Sequence, residues 1–174
     1  MNRRAFLLRT GGGVLAAVAG GLWLRRTTIP TPDVQAMLTE LKGWRGRSVT
    51  TTGSWSPAQI FTHLAQSIEY SMTGYPEMKP ALFQKTAGSA AFFVFSSLGK
   101  MKHNLADPIP GAPSLETSDT GSALDRLITA LQSFHDFTGE LRPHFAYGAL
   151  SKAEYAAAHL MHIRDHQREF TVGG

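Results

Sequence analysis

Three histidines stand where amphipathic helices should be apolar, and they restrict what this chain can fold into more than any other feature. His162 and His166 lie four residues apart in YAAAHLMHIRDHQREF. On a helix that spacing points both imidazoles the same way. Tyr155, His159, His162, His166 and Phe170 recur at steps of three and four, the pattern of a core-facing stripe. His63 flanks the apolar stripe of an earlier helix. Burying several imidazoles without partners costs on the order of a kcal/mol or more each. A metal ion shared between facing helices satisfies them, and helical bundles build sites in this way.

The helices themselves are well marked. Thr31 and Pro32 open a first amphipathic helix with Val34, Met37, Leu38 and Leu41 inward, stopping near Gly43. A Gly/Ser/Thr-rich link follows to Gly53. Ser56 as N-cap and Pro57 at the first helical position start a second helix. Its stripe is Ile60, Phe61, Leu64, Ile68 and Met72, and Gly74 ends it. Trp55, just before the cap, is placed to pack on Ile60 as a hydrophobic staple. Leu82, Phe83 and AAFFVFSSL predict an accessory helix over 80–98, buried on most sides; a strand at FFVF has no second strand signal to pair with. Phe92, Phe93 and Phe95 read as core in preference to a lipid-facing patch. From Gly99 to Gly121 the chain is Pro/Gly/Ser/Thr-rich, a long irregular loop of the kind that often carries function. Leu124, Leu127, Ile128, Leu131 and Phe134 mark a helix over 122–138. Ser151 with Glu154 three residues on is a capping box that starts the last helix. The fold class expected is all-α: an up-and-down four-helix bundle with one accessory helix and the long loop.

Composition divides the chain in two. There are 174 residues, enough for one sizeable core, and no cysteine, so disulfides, thiolate ligands and a catalytic thiol are excluded. The formal charge of +4 belongs to the start of the chain. Residues 1–30 contain Arg3, Arg4, Arg9, Arg25 and Arg26 and no acid, leaving 12 basic against 13 acidic residues in 31–174. That near-neutral body offers no nucleic-acid surface. Asn2-Arg3-Arg4-Ala5-Phe6-Leu7-Leu8 resembles the twin-arginine export motif, with Asn for the usual Ser/Thr and Leu8 for the common Lys. The uncharged stretch Thr10 to Leu24 would reach only ~22 Å as a helix, short of a ~30 Å hydrocarbon core. Residues 1–30 are therefore expected to be a twin-arginine-like signal or inner-membrane anchor, with Ala17-Val18-Ala19 a candidate cleavage site. Residues 31–174 are the expected helical domain, in the periplasm or tethered to the inner membrane.

The motifs WSPAQIFTH at 55–63, GKMKHNLADPIPGAP at 99–113, HFAYGALS at 144–151 and HIRDHQREF at 162–170 follow one another in order. Together they resemble the DinB/YfiT-like superfamily, in a branch known only as a domain of unknown function. The resemblance implies a four-helix bundle with one divalent ion held by His63, His162 and His166. Zinc, nickel and iron are all compatible. Asp165 stands where that branch commonly has a further His, and Glu169 where it has Gln; either could act behind a ligand, but both positions suggest the outer face of the helix. Superfamily members include thiol S-transferases and a thiol-dependent isomerase, so the fold does not settle the function.

The remaining histidines have plainer readings. His159 is expected to pack in the core or hydrogen-bond a neighbour, with a fourth-ligand role second. His144 is expected to order the turn before the last helix, His103 to be a surface residue of the long loop, with reach into a pocket as its second reading, and His135 to flank its helix. A three-histidine site keeps the full charge of the ion and leaves a coordination position open. Such an ion acidifies bound water, polarises a substrate oxygen or stabilises a thiolate. No Ser-His-Asp order, phosphate-binding Gly loop or H-E-x-x-H is present. Asp107 and Glu116 are loop carboxylates without an assigned role. Two classes of function follow: a metal-dependent hydrolase or thiol transferase acting on an unidentified small molecule, or a non-catalytic metal-binding or interaction module of the cell envelope. Neither excludes a homodimer.

Overall fold

Helix α1, Val34–Lys42, begins where the Asp33 side chain accepts a hydrogen bond from the Ala36 amide at 2.8 Å, satisfying one of the helix's orphan donors. It buries the four residues expected, Val34, Met37, Leu38 and Leu41. The computed structural model describes residues 32–115 and 119–174, and those residues are mostly helical, with one small two-stranded sheet. Residues 1–31, where the signal or anchor is expected, and residues 116–118, Glu116 among them, lie outside the described residues.

Helix α2, Pro57–Thr73, starts at Ser56 with a reciprocal capping box: Ser56 Oγ accepts from the Gln59 amide and Gln59 Oε1 accepts from the Ser56 amide. Its C-cap is Gly74. Eleven of its 17 residues are buried, because it packs on two other helices at once. Those are α5, Thr120–Asp136, and α6, Lys152–Gln167. Helix α1 packs against the same pair. The shared core holds Leu38, Leu41, Ile60, Phe61, Leu64, Leu127, Leu131 and Tyr155, all at 0–1% exposure. Each such side chain contributes about 1.5–3 kcal/mol by burial, which conformational entropy largely offsets. The Ser151–Glu154 capping box forms as read from the sequence. None of the described helices is long and apolar enough to cross a membrane.

Two expectations change here. The link after α1 contains strand β1, Val49–Thr51, which pairs antiparallel with β2, Phe170–Val172, in the register Val49↔Val172 and Thr51↔Phe170. Phe170 therefore does not continue the stripe of α6. It sits between Trp44, 5.8 Å away, and Phe61, 5.1 Å away. VTT and FTV are β-branched and aromatic, so they favour the pleat once the two segments meet. The ribbon fastens the chain end beside α1 and fixes the position of Glu169 just before it.

The second correction concerns residues 81–98. They form α3, Ala81–Phe83, a π-helical turn over Gln84–Gly88, and α4, Ser89–Leu98. This segment is mostly exposed, not buried on most sides; only Gly88 and Phe92 are buried within it. Phe93 and Phe95 are half-buried. Gly88 is required for a close approach: a Cβ there would stand 1.9 Å from the Ala146 carbonyl oxygen.

Candidate metal centre

His63 lies in the second turn of α2, at a position fixed by the Ser56 cap, while His162 and His166 project from the last turns of α6. The packing of α2 on α6 brings the three imidazoles together. His63 Nε2 and His162 Nε2 are 3.2 Å apart. The ring centroids are 5.0 Å apart for His63 and His162, 5.3 Å for His63 and His166, and 5.1 Å for His162 and His166.

A fourth histidine joins them. His103 is not a surface residue: the loop after α4 folds back so that its ring lies 4.8 Å from that of His162 and 5.1 Å from that of His166. One ring nitrogen from each of His63, His103, His162 and His166 falls within 4.8 Å of the others. Asp165 holds His103 there. Its carboxylate accepts from the His103 backbone amide at 3.3 Å and pairs with His103 Nδ1 at 2.9 Å. The other carboxylate oxygen pairs with Arg168. The Asp165 side chain is 1% exposed, so the expectation of an outer-face residue is wrong. Asp165 follows His162 by three positions, which on a helix places it alongside that ring and not opposite it. That spacing was the signal available in the sequence. His103 left none, because a loop has no periodicity to say where it returns.

Trp55 is also part of the site. Its ring is 5.1 Å from that of His63 and 6.3 Å from that of His166, nearly parallel to the latter. Glu169 Oε2 lies 3.9 Å from His166 Nδ1. Its carboxylate occupies the space over Gly53, where a Cβ would come within 2.3 Å of Oε1.

The other histidines do what their positions suggested. His159 hydrogen-bonds Ser71 Oγ at 3.2 Å, with its ring edge-on to Phe134 and stacked near Tyr155. His144 Nδ1 accepts from the Ala146 and Tyr147 amides, closing the turn before α6. His135 is exposed on α5.

Burial sets the electrostatics. His63 and His166 are held down to about 3, first by desolvation of the cationic form and then by the neighbouring histidines. His162 is pushed well below its ordinary value by burial first, then by His63 and His166. All three are therefore neutral at ordinary pH, the form in which imidazole donates a lone pair. Yet His63 Nδ1, His103 Nε2 and both ring nitrogens of His166 are buried without a hydrogen-bond partner. Orphaned buried polar atoms of this kind call for an explanation. Ligands at 2.0–2.1 Å around a tetrahedral ion stand about 3.3–3.4 Å apart, close to the separation between His63 and His162. The four donors lie within 4.8 Å of one another, so the wider separations would have to close by up to about 1.4 Å for all four to hold one ion. Beside the four rings lies a cavity of about 360 Å³, lined by His63, His103 and His162 and otherwise by Met101, Ile109, Phe145, Tyr147, Lys79, Asp107 and several smaller contacts.

The family described as a protein of unknown function, DUF1569, matches residues 23–172. The chain belongs to this family. No curated protein and no solved structure matches it. The four histidines of this DUF1569 chain, Trp55, Asp165 and Glu169 all fall inside the matched region.

Proposed function

We propose that this DUF1569 protein binds one divalent metal ion through His63, His162 and His166, with His103 as a fourth ligand. The observation that carries this reading is the convergence of one ring nitrogen from each of four histidines, among which His103 Nε2 and both ring nitrogens of His166 are buried without a partner. Four imidazoles suit zinc, nickel or iron(II). Asp165 orients His103 through Nδ1, leaving Nε2 free to face the other three rings. The fold would be a DinB-like four-helix bundle; the shared core of α1, α2, α5 and α6 supports it. The arginine pair Arg3-Arg4 supports export by the twin-arginine route and residence in the periplasm or at the inner membrane.

A bound ion would supply Lewis-acid chemistry, and the proposed activity is that of a metal-dependent hydrolase or thiol transferase acting on a small molecule. The cavity beside the histidines supports a reacting ligand over a closed interior. His103 is the one ligand carried on a loop, so it can yield its position to a ligand without unwinding a helix. Within the cavity Lys79 and Asp107 provide charge, and Met101, Ile109 and Phe145 exclude water. One observation favours the non-catalytic reading: four imidazoles complete a tetrahedral ion and leave no open position.

The test is metal analysis of purified protein. About one ion per chain is expected. His162→Ala should sharply reduce it and His135→Ala should not; full metal content in His162→Ala sinks the assignment. Cobalt-loaded protein then separates the two functions. A shift of its visible bands by a small thiol or an inorganic anion supports the enzyme. Unchanged bands support the closed module.

A further inference from the structure

The exposed large hydrophobic side chains of the described residues all fall between Met78 and Leu98: Leu82 at 76% and Leu98 at 67%, with Val94, Met78 and Phe83. They are ordered. Phe83, Ala87, Ala90, Val94 and Leu98 recur at steps of four and three and are all exposed, so the outward stripe of this helical segment carries no charge. The opposite side is pinned to the body by Phe92, whose ring lies 5.4 Å from that of Tyr147, and by Gly88 against the Ala146 carbonyl. The outer face is thus held out by packing and is not a frayed end.

Charge is distributed around it in a matching way. From Met78 to Lys102 the chain has Lys79, Lys85, Lys100 and Lys102 and no Asp or Glu. The rest of 31–174 has eight Lys and Arg against thirteen acids. Elsewhere Arg45, Arg126, Arg164 and Arg168 are each paired with a carboxylate. The four lysines are exposed and pair with none of the described residues.

We infer that this face, α3 through α4 with its lysine rim, docks on an anionic lipid surface. An uncharged stripe bounded by lysines is the composition of a helix lying in a bilayer interface, apolar side in the acyl boundary and cations at the headgroups. A second copy of the chain fits less well. A two-fold interface would set the same patch against itself and bring four unpaired lysines against four. An anionic bilayer accepts both the stripe and the rim. Lys79 and Met101, at the two ends of the segment, also line the cavity beside the histidines, so docking would turn the cavity's rim toward the lipid. The inference stands whether or not a metal binds.

The chain has no cysteine, so one introduced residue carries one label. Full-length Leu82→Cys, Leu98→Cys and Ser133→Cys, each labelled with an environment-sensitive fluorophore, are mixed with phosphatidylcholine vesicles with and without about 30% phosphatidylglycerol. Ser133 is exposed on α5 and serves as the reference position. The local readout separates this face from any binding by the N-terminal segment. Blue-shifted, brighter emission at 82 and 98 on the anionic vesicles, with none at 133, is expected. Lys85→Glu with Lys100→Glu should weaken the response at 98 on the order of tenfold. No response at 82 and 98, or an equal one at 133, overturns the inference. So does a response without vesicles that grows with protein concentration, which assigns the face to a second copy.

Discussion

Asp165→Asn is the most searching change to make in this site. It keeps the shape of a side chain that is 1% exposed and removes its charge. Three interactions meet on that carboxylate: the His103 amide at 3.3 Å, His103 Nδ1 at 2.9 Å, and Arg168. Hydrogen bonds to a charged group contribute about 1.5–3 kcal/mol each, and loss of a partner that orients a metal ligand typically costs 10–100-fold in affinity. Asp165→Asn should therefore weaken metal binding by about 10–100-fold, roughly 1.4–2.7 kcal/mol. The loss should act through His103, so it should nearly vanish in a His103→Ala background. Competition against a chromophoric chelator gives all four affinities of the double-mutant cycle, and a coupling close to the whole loss, roughly 1.4–2.7 kcal/mol, is expected. If the two losses simply multiply, Asp165 does not work through His103. The carboxylate would then be only a helix-end ion pair with Arg168.

Burial holds His144 and His159 down to about 3 from an ordinary 6.5, so the unfolded chain takes up protons that the folded chain refuses. The stability these groups contribute is complete above pH 6.5 and is lost as pH falls toward about 3; His144→Asn should reduce the loss between pH 6.5 and about 5 by about 1.5 kcal/mol, read from urea midpoints of metal-free protein. Ser151→Ala removes the Oγ that accepts from the Glu154 amide and should cost about 1 kcal/mol, lowering Tm by a few degrees while leaving metal affinity unchanged in folded protein. Arg3-Arg4→Lys-Lys should block export in a cell fractionation assay, because the twin-arginine route reads the arginine pair itself; normal export would instead favour a signal-anchor inserted by the general route.

Helices α1, α2, α5 and α6 were legible from the chain because their signals are local. Ser56-Pro57, Ser151 with Glu154, and apolar residues at steps of three and four state where each begins and which side is inward. The convergence of His63, His162 and His166 was expected on two grounds: the four-residue spacing of the pair on one helix, and the resemblance carried by the ordered motifs, which added His63. The segment over 81–98 was misjudged because hydrophobicity reports what a residue avoids and not what lies opposite it. No other element covers the outer side of AAFFVFSS in the described structure, so it stands exposed.

By itself the sequence determined the main helical elements, their inward faces and the shared face of His162 and His166, since each depends on spacing within one element; that His63 joins them was implied only by the resemblance. Tertiary structure decided what depends on meetings between distant segments. Two three-residue strands are too short to show a period and exist only because the link after α1 meets the segment after α6. His103 enters the cluster only because Asp165, 62 positions away, is buried where a returning loop can reach it. Trp55, beside the cap of α2, lies against histidines of two helices, stacked on His166 and tilted to His63, only once those helices pack. Such contacts carry the cost of closing a long loop, and the interactions that repay it are visible only after folding.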